Sequence, residues 1–234
     1  MIQALIYRRS AETPRKAKQS MTRPLLLGHR GARASQNIPE NTLPSFELCL
    51  QHGCDGFEFD VRLSADGQAV ICHDAVFGRV SIATATAESL VLPTLEDVLQ
   101  QFAERAFLDI ELKVTGLERH AVAALLKHPP RRGFVVSSFL PDVLGAVRDI
   151  DAAIPLGFLC ESRSELRAWR ETAAEWVIPH FKLANARLIK QVHATGKKVM
   201  VWTVNRAVRM REFAVWDADA IIADETELLV RSLR

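Results

Sequence analysis

From Leu25 onward, short apolar segments alternate with amphipathic stretches of helical period, a pattern that points to a parallel sheet whose strands are joined by crossover helices. The segments "LLLGH", "GFEFDVRL", "AFLDIEL", "FVVSSF", "IPLGFLC", "WVIPHF", "KVMVWTV" and "DAIIAD" read as eight strands. Between them, "NTLPSFELCLQHG", "TLEDVLQQFAER", "GLERHAVAALLKH", "SELRAWRETAA" and "NARLIKQVHATG" have helical spacing, and several start at a capping residue and stop near glycine. Eight such strands in 234 residues predict an α/β chain folded as a single (β/α)8 TIM barrel over residues 23–234. "QAVICHD" breaks the alternation. It follows the second strand through "SADG", whose Asp-Gly pair favours a tight turn, and is expected as a short hairpin excursion from the barrel top.

Side chains alternate between the two faces of a strand, so Glu58, Asp60 and Arg62 share one face and Phe57, Phe59, Val61 and Leu63 the other. The same division recurs in "FLDIELK", where Asp109, Glu111 and Lys113 oppose Leu108, Ile110 and Leu112. In a barrel the apolar set faces the helices and the charged set points inward near the C-terminal rim, where such folds keep their active sites. Buried carboxylates need a partner. Glu58, Asp60 and Glu111 offer an all-oxygen set suited to one hard divalent cation, Mg²⁺ or Ca²⁺; parity alone equally allows an ion-pair network with Arg62 and Lys113. Two histidines that end neighbouring segments, His29 in "LLLGHRG" and His73 in "AVICHD", favour the first alternative, because imidazole titrates near neutrality and suits an acid–base pair. Arg30 and Lys113 then supply positive charge for a phosphate-bearing substrate. Together these groups describe metal-assisted cleavage of a phosphate ester.

Charge and cysteine usage narrow the setting. The formal net charge is +2, but the first 20 residues hold Arg8, Arg9, Arg15, Lys16 and Lys18 against Glu12, leaving 25 basic and 27 acidic residues in the rest. That balance argues against a nucleic-acid surface. Cys49, Cys54, Cys72 and Cys160 have neither CxxC nor metal-site spacing and read as thiols in a cytoplasmic protein. Residues 1–22 read as a basic, unstructured leader. It lacks the apolar core of a secretory signal, a transit peptide is its minority reading, and Met21 is an alternative start. No stretch reaches the ~18 apolar residues of a membrane span, and no stable membrane association is expected.

The chain resembles the glycerophosphodiester phosphodiesterases. The resemblance is carried by "GHRGA" at 28–32, "PENTLPSF" at 39–46, "GFEFDVRLSADGQAVICHD" at 56–74, "PTLEDVL" at 93–99, "LDIELK" at 108–113, "VVSSF" at 135–139, "VWTVN" at 201–205 and "DAIIAD" at 219–224. It implies that Glu58, Asp60 and Glu111 hold the metal, that His29 and His73 are the acid and base in an order left open, and that Arg30 and Lys113 clamp the phosphate. Trp202 resembles the aromatic wall against which the glycerol moiety packs. The implied reaction releases glycerol 3-phosphate and an alcohol from a small glycerophosphodiester. Lysophospholipase D-type hydrolysis of a lipid phosphodiester is the related alternative, marked by an apolar entrance that the sequence does not clearly show. A non-catalytic phosphate-binding barrel is the other, marked by loss of a site residue, and none is lost.

Lesser candidates have structural readings beside functional ones. Asn41 opens a helical segment, where an N-cap alone explains its type, with a role at the site as the other reading. Glu40 is placed to orient Arg30 or a metal ligand, Asp109, one layer below Glu111, to brace the site, and Asp74 to orient a neighbour or simply to end the hairpin. Ser138 suits backbone groups at the rim, and His180 suits either rim contact or packing. His52, His120, His128 and His193 fall on helices or helix ends. Beside many members of the family, residues 75–92 are short, Val80-Ser81 replaces a common Thr-Thr, and "IIADET" keeps only Asp224. A short segment there leaves the alcohol in water and predicts weak discrimination among alcohols.

Overall fold

The structure is a computed structural model that describes residues 23–234. The leader and its alternative start at Met21 lie outside the described residues. In chain order the elements begin with β1 (Leu25–His29), α1 (Leu43–Gln51), β2 (Gly56–Leu63) and β3 (Ala69–Ile71). Two short strands, β4 (Val76–Phe77) and β5 (Val80–Ser81), a 3₁₀ turn at Ile82–Thr84, α2 (Ala87–Leu90) and α3 (Leu95–Phe102) follow. The chain then alternates strictly: β6 (Phe107–Leu112), α4 (Glu118–Lys127), β7 (Phe134–Ser138), α5 (Pro141–Ile150), β8 (Leu156–Cys160) and α6 (Arg163–Ala168). It ends with β9 (Trp176–Pro179), α7 (Ala186–His193), β10 (Lys198–Val201), α8 (Ala207–Val215), β11 (Ala220–Ala223) and α9 (Thr226–Leu233).

The eight segments expected as strands are β1, β2 and β6 to β11. They pair in parallel in the order β1-β11-β10-β9-β8-β7-β6-β2, and the pairing of Leu27–His29 with Gly56–Glu58 closes the barrel. β2 outruns β1 at the rim, and β3 pairs antiparallel with that overhang, Val61 opposite Ile71 and Leu63 opposite Ala69. The excursion is thus a hairpin on the second strand, as "SADG" suggests. At Gly56 the strands approach so closely that a Cβ would lie 1.8 Å from the Phe107 carbonyl oxygen.

Alternation sorts the core into two layers. Phe57, Phe59 and Val61 point outward and pack under the helices with Phe46, Val98, Leu99 and Phe102, the Phe46 and Phe57 rings stacked with centroids 4.3 Å apart. Inside the barrel, Leu27, Phe107, Val135, Leu159, Trp176, Ile178, Met200, Ala220 and Ile222 fill the space below the rim. Helix starts are chemically specified: Thr94 and Asp97 form a reciprocal capping box on α3, as do Ser162 and Glu165 on α6. α1 starts one residue later than its segment suggests, because Thr42 rather than Asn41 is the N-cap, its hydroxyl accepting from Ser45 N at 3.3 Å. All four cysteines are free and buried.

Candidate active site

β1 leaves the barrel through "HRG", with Arg30 at φ 53° and Gly31 at φ 83°. Two successive left-handed residues reverse the chain and turn Arg30 back over the strand ends; at Gly31 a side chain would also meet the Ser45 backbone at 2.7 Å. Buried Ser45 ties this turn together, its hydroxyl donating to Arg30 O at 3.1 Å and accepting from Ala32 N at 3.0 Å. Arg30 N donates to Glu58 Oε2 at 3.0 Å, while its guanidinium meets Glu40 Oε1 at 2.7 Å and Asp60 Oδ2 at 3.1 Å. Glu40 therefore orients Arg30, assisted by Arg33 on its other oxygen.

The inward side chains of β2 and β6 bring Glu58, Asp60 and Glu111 together, with one oxygen of each within 4.8 Å of the others. All three are buried. Lys113 Nζ lies 2.7 Å from Glu111 Oε1 and 3.3 Å from Asp60 Oδ1. Asn41, for which the sequence leaves both a cap and a site role open, sits buried at φ 56° and grips Asp60, donating from Nδ2 to Oδ2 at 2.8 Å and accepting from Asp60 N at 3.3 Å. Arg62 does not pair with the acids. Its Nε donates to His73 O at 2.8 Å and so fixes the backbone that carries His73.

Electrostatics separate the three carboxyls. Burial pushes Glu58 well above its usual range, reinforced by the charges of Asp60 and Glu111. Burial and Asp60 raise Glu111 to about 8 against the pull of Lys113. Asp60 is equally buried, yet Lys113, Arg30 and the Asn41 hydrogen bond outweigh desolvation and hold it below its usual value. One layer down, Asp109 is fully buried, accepts from Ser137 Oγ at 2.6 Å and is raised to about 7 by burial. Glu58 Oε1 is a buried acceptor with no hydrogen-bond partner. An orphaned oxygen among three converging carboxyls fits a hard divalent cation.

The two histidines flank this cluster differently. His29 is buried, its Nδ1 2.7 Å from Asp224 Oδ1 and its Nε2 3.9 Å from Glu58 Oε2. Burial lowers its pKa, opposed by the Asp224 bond. Asp224, gripped by His29, Asn205 and Arg33, is drawn down to about 2 despite burial. An ionised carboxylate only accepts, so His29 carries its proton on Nδ1 and turns a lone pair on Nε2 toward the acids. His73 is half-exposed, its Nδ1 2.7 Å from Asp74 Oδ1, and Asp74 thus orients the histidine next to it.

A cavity of about 320 Å³ joins these groups, lined by His29, Arg30, Glu58, His73, Glu111, Lys113 and Glu161 and by the apolar Phe139, Leu159, Trp202 and Ile222. Trp202 is held by its indole N–H donating to Ile178 O at 3.0 Å, with Phe139 and His180 edge-on at 5.6 and 5.4 Å. His180 thus supports the aromatic wall. Ser138 donates to Leu112 O at 2.8 Å and accepts from Leu140 N, satisfying rim backbone as expected. His52, His120, His128 and His193 stay outside the cavity, bonded to Thr226, Gly116, Glu96 and Asp219 respectively.

Sequence reasoning missed Ser45, Asn205 and the role of Asp224, and it left Asn41 between a helix cap and the site. "PENTLPSF", "VWTVN" and "DAIIAD" held the signal, but which residue meets which depends on strand closure. Residues 75–92 hold β4, β5, the 3₁₀ turn and α2. They fold around a second groove and expose Val76, Phe77, Val80 and Val91 beside the mouth. These four side chains come from two short strands and a separate turn and form no run in the sequence.

Residues 29–84 and 78–228 match the glycerophosphoryl diester phosphodiesterase family. A protein of Caldanaerobacter subterraneus subsp. tengcongensis named glycerophosphodiester phosphodiesterase is 26% identical over 240 residues, covering 90% of this chain and 98% of its own. A crystal structure of a glycerophosphodiester phosphodiesterase from Thermotoga maritima superposes with a TM-score of 0.78 at 25% identity, over 90% of this chain and 98% of that one. A phosphodiesterase from Oleispira antarctica, solved with its product sn-glycerol-3-phosphate, has the same fold at a TM-score of 0.77 and 24% identity, over 90% and 96% of the two chains.

Proposed function

The chain belongs to the glycerophosphoryl diester phosphodiesterase family, and from that premise we propose that it hydrolyses glycerophosphodiesters to glycerol 3-phosphate and an alcohol with one divalent cation, Mg²⁺ or Ca²⁺. The observation that carries the reading is the cluster of Glu58, Asp60 and Glu111, of which Glu58 and Glu111 line one cavity with two histidines and two cationic side chains. Glu58, Asp60 and Glu111 are the residues to hold the ion, and Asn41 sets the angle of Asp60. When bound, the ion offsets negative charge developing on the phosphoryl oxygens and favours ionised water. Arg30 and Lys113 bind the phosphate, and Trp202 gives the glycerol a flat apolar wall. One histidine accepts the proton of the attacking water as its oxygen bonds to phosphorus; the other gives a proton to the alcohol oxygen as the P–O bond breaks. Asp224 and Asp74 hold the Nδ1 protons, so that each Nε2 is the nitrogen that exchanges the proton.

Lysophospholipase D-type hydrolysis is the second reading, favoured by the exposed apolar residues beside the mouth. Among the described residues no helix is long and apolar enough to cross a membrane; a cytoplasmic location is proposed from the free thiols. The test is release of glycerol 3-phosphate from glycerophosphocholine with Mg²⁺ or Ca²⁺, before and after chelation. Metal-restored release is expected. Full turnover in exhaustively chelated protein would defeat the metal assignment, and no turnover with either ion would defeat the reaction.

A further inference from the structure

Arg33 lies outside the walls of the catalytic cavity, yet it touches two acids that each hold a side chain of that cavity in place. Its Nε meets Glu40 Oε2 at 2.5 Å and its Nη1 meets Asp224 Oδ1 at 3.2 Å. Glu40 Oε1 in turn meets Arg30, and Asp224 Oδ1 meets His29. Four alternating charges and an imidazole therefore close a ring that leaves β1 at His29 and returns to the chain at Arg30. The backbone supports it: Ala34 N donates to Asp224 O at 3.3 Å and Ser35 N to Ala32 O at 3.0 Å, which ties residues 32–35 to the end of β11.

The two acids depend on Arg33 unequally. Asp224 keeps His29 at 2.7 Å and Asn205 at 2.5 Å without it. Among the described residues, Glu40 would keep only Arg30 as a cationic partner. A carboxylate shared between two guanidiniums offsets part of the charge of each, whereas a carboxylate left with one offsets it in full. Resting on the phosphodiesterase reading above, we propose that Arg33 is a positioning residue for the phosphate clamp: by sharing Glu40 it keeps Arg30 fixed in direction while leaving its positive charge free for the substrate phosphate. Without Arg33, Glu40 competes with the phosphate for Arg30. Arg30 is buried and already meets Asp60 at 3.1 Å, so water does little to soften that competition.

The experiment is calorimetric titration of the full chain with sn-glycerol 3-phosphate in the presence of Mg²⁺, in the wild type, Arg33→Met, Glu40→Gln and the double variant. Methionine keeps an apolar stem and removes the charge, which spares the fold, and Arg33→Gln repeats the measurement with a polar end. Arg33→Met should weaken binding about fivefold, the scale of one partly exposed ion pair. In Glu40→Gln the competing charge is gone, and the same substitution should weaken binding by less than about twofold. KM for glycerophosphocholine should rise about fivefold with kcat within about twofold of wild type, because Asp224 retains its other partners. An equal loss of binding in both backgrounds would make Arg33 no more than a distant positive charge and would overturn the proposal. So would unaltered binding in both Arg33→Met and Arg33→Gln, or a fall in kcat at unchanged KM, which would put the weight of Arg33 on Asp224 and His29. A wild type that does not bind glycerol 3-phosphate would overturn it as well. Binding that keeps its dependence on Arg33 and Glu40 in a protein that turns over no glycerophosphodiester would defeat the reaction and leave the clamp standing.

Discussion

On β1, β2 and β6 the inward side chains near the rim are His29, Glu58, Asp60, Asp109 and Glu111, whereas on β8 to β11 they are Leu159, Ile178, Met200 and Ile222. Both sets obey the same two-residue alternation in the same closed sheet, so the fold does not distinguish them. Their energetics do. The apolar side is close-packed against itself and Trp176 and needs no partner. The acidic side carries groups that burial alone pushes toward protonation, and Glu58 retains an unpaired oxygen. Stability is thus concentrated on one side of the barrel interior and ligand demand on the other, and substitutions on the two sides should separate activity from folding.

The largest expected effect is on the acidic side. Glu58→Gln removes one of three ligand charges, and losing metal-borne charge stabilisation worth several kcal/mol lowers kcat by about 10³-fold or more. The metal-free variant should melt no lower than the metal-free wild type, because the amide replaces a group whose ionised form burial disfavours. Assay and melting of the same preparation check both halves; a loss under tenfold, or a large fall in melting temperature, would erase the contrast.

Met200→Ala on the opposite side should do the reverse. Truncating a fully buried methionine costs about 2–5 kcal/mol, read from denaturant unfolding, while kcat per folded molecule stays within a few-fold of wild type. A collapse of kcat without loss of stability would show that the apolar side tunes the chemistry.

Asp224→Asn probes the seam where β11 meets β1. The amide keeps the shape but loses the charge that holds the proton on His29 Nδ1. A fall in kcat of about 10–100-fold with KM unchanged is expected, smaller than the ~10²–10⁴-fold expected for His29→Ala. A change confined to KM would place Asp224 in substrate binding.

What the sequence made legible follows the same division. Strand alternation is local, so Glu58, Asp60 and Glu111 could be assigned to one interior, and the apolar residues between them to the helix layer, before any coordinates. Pairs that depend on closure were not legible: Asp224 lies 195 residues from His29, and no local period links them. Asn41 stayed open for a related reason. Its type suits a helix cap, but Thr42 takes that place and the left-handed backbone swings Asn41 onto Asp60. The apolar groove depended on Val91 turning left-handed, which nothing in "SLVLPT" signals.

The smallest effect is also the most direct measure of how the acidic side differs from the rest of the barrel. In the metal-free protein Asp109 is raised to about 7, Glu111 to about 8, and Glu58 well above its usual range. The unfolded chain gives up these protons near pH 4, whereas the folded chain keeps them. Between those limits the unfolded state binds fewer protons, so these groups make stability fall as pH rises from about 4 to 8. Asp224 has the opposite sign: its folded pKa of about 2 stabilises the fold above pH ~4 and is lost only as pH falls toward 2, so it contributes a constant across this window. His29, lowered by burial, adds stability as pH rises toward its unfolded value of about 6.5 and partly masks the acids there. The difference in melting temperature with and without Mg²⁺ or Ca²⁺ largely removes both backgrounds. Because the ion binds the ionised carboxylates and displaces their protons, that difference should be near zero at pH 5 and grow to a few degrees by pH 8. It should vanish at every pH in Glu58→Gln if this carboxylate is required for the ion to bind. A difference independent of pH would mean that the ion binds elsewhere on the chain.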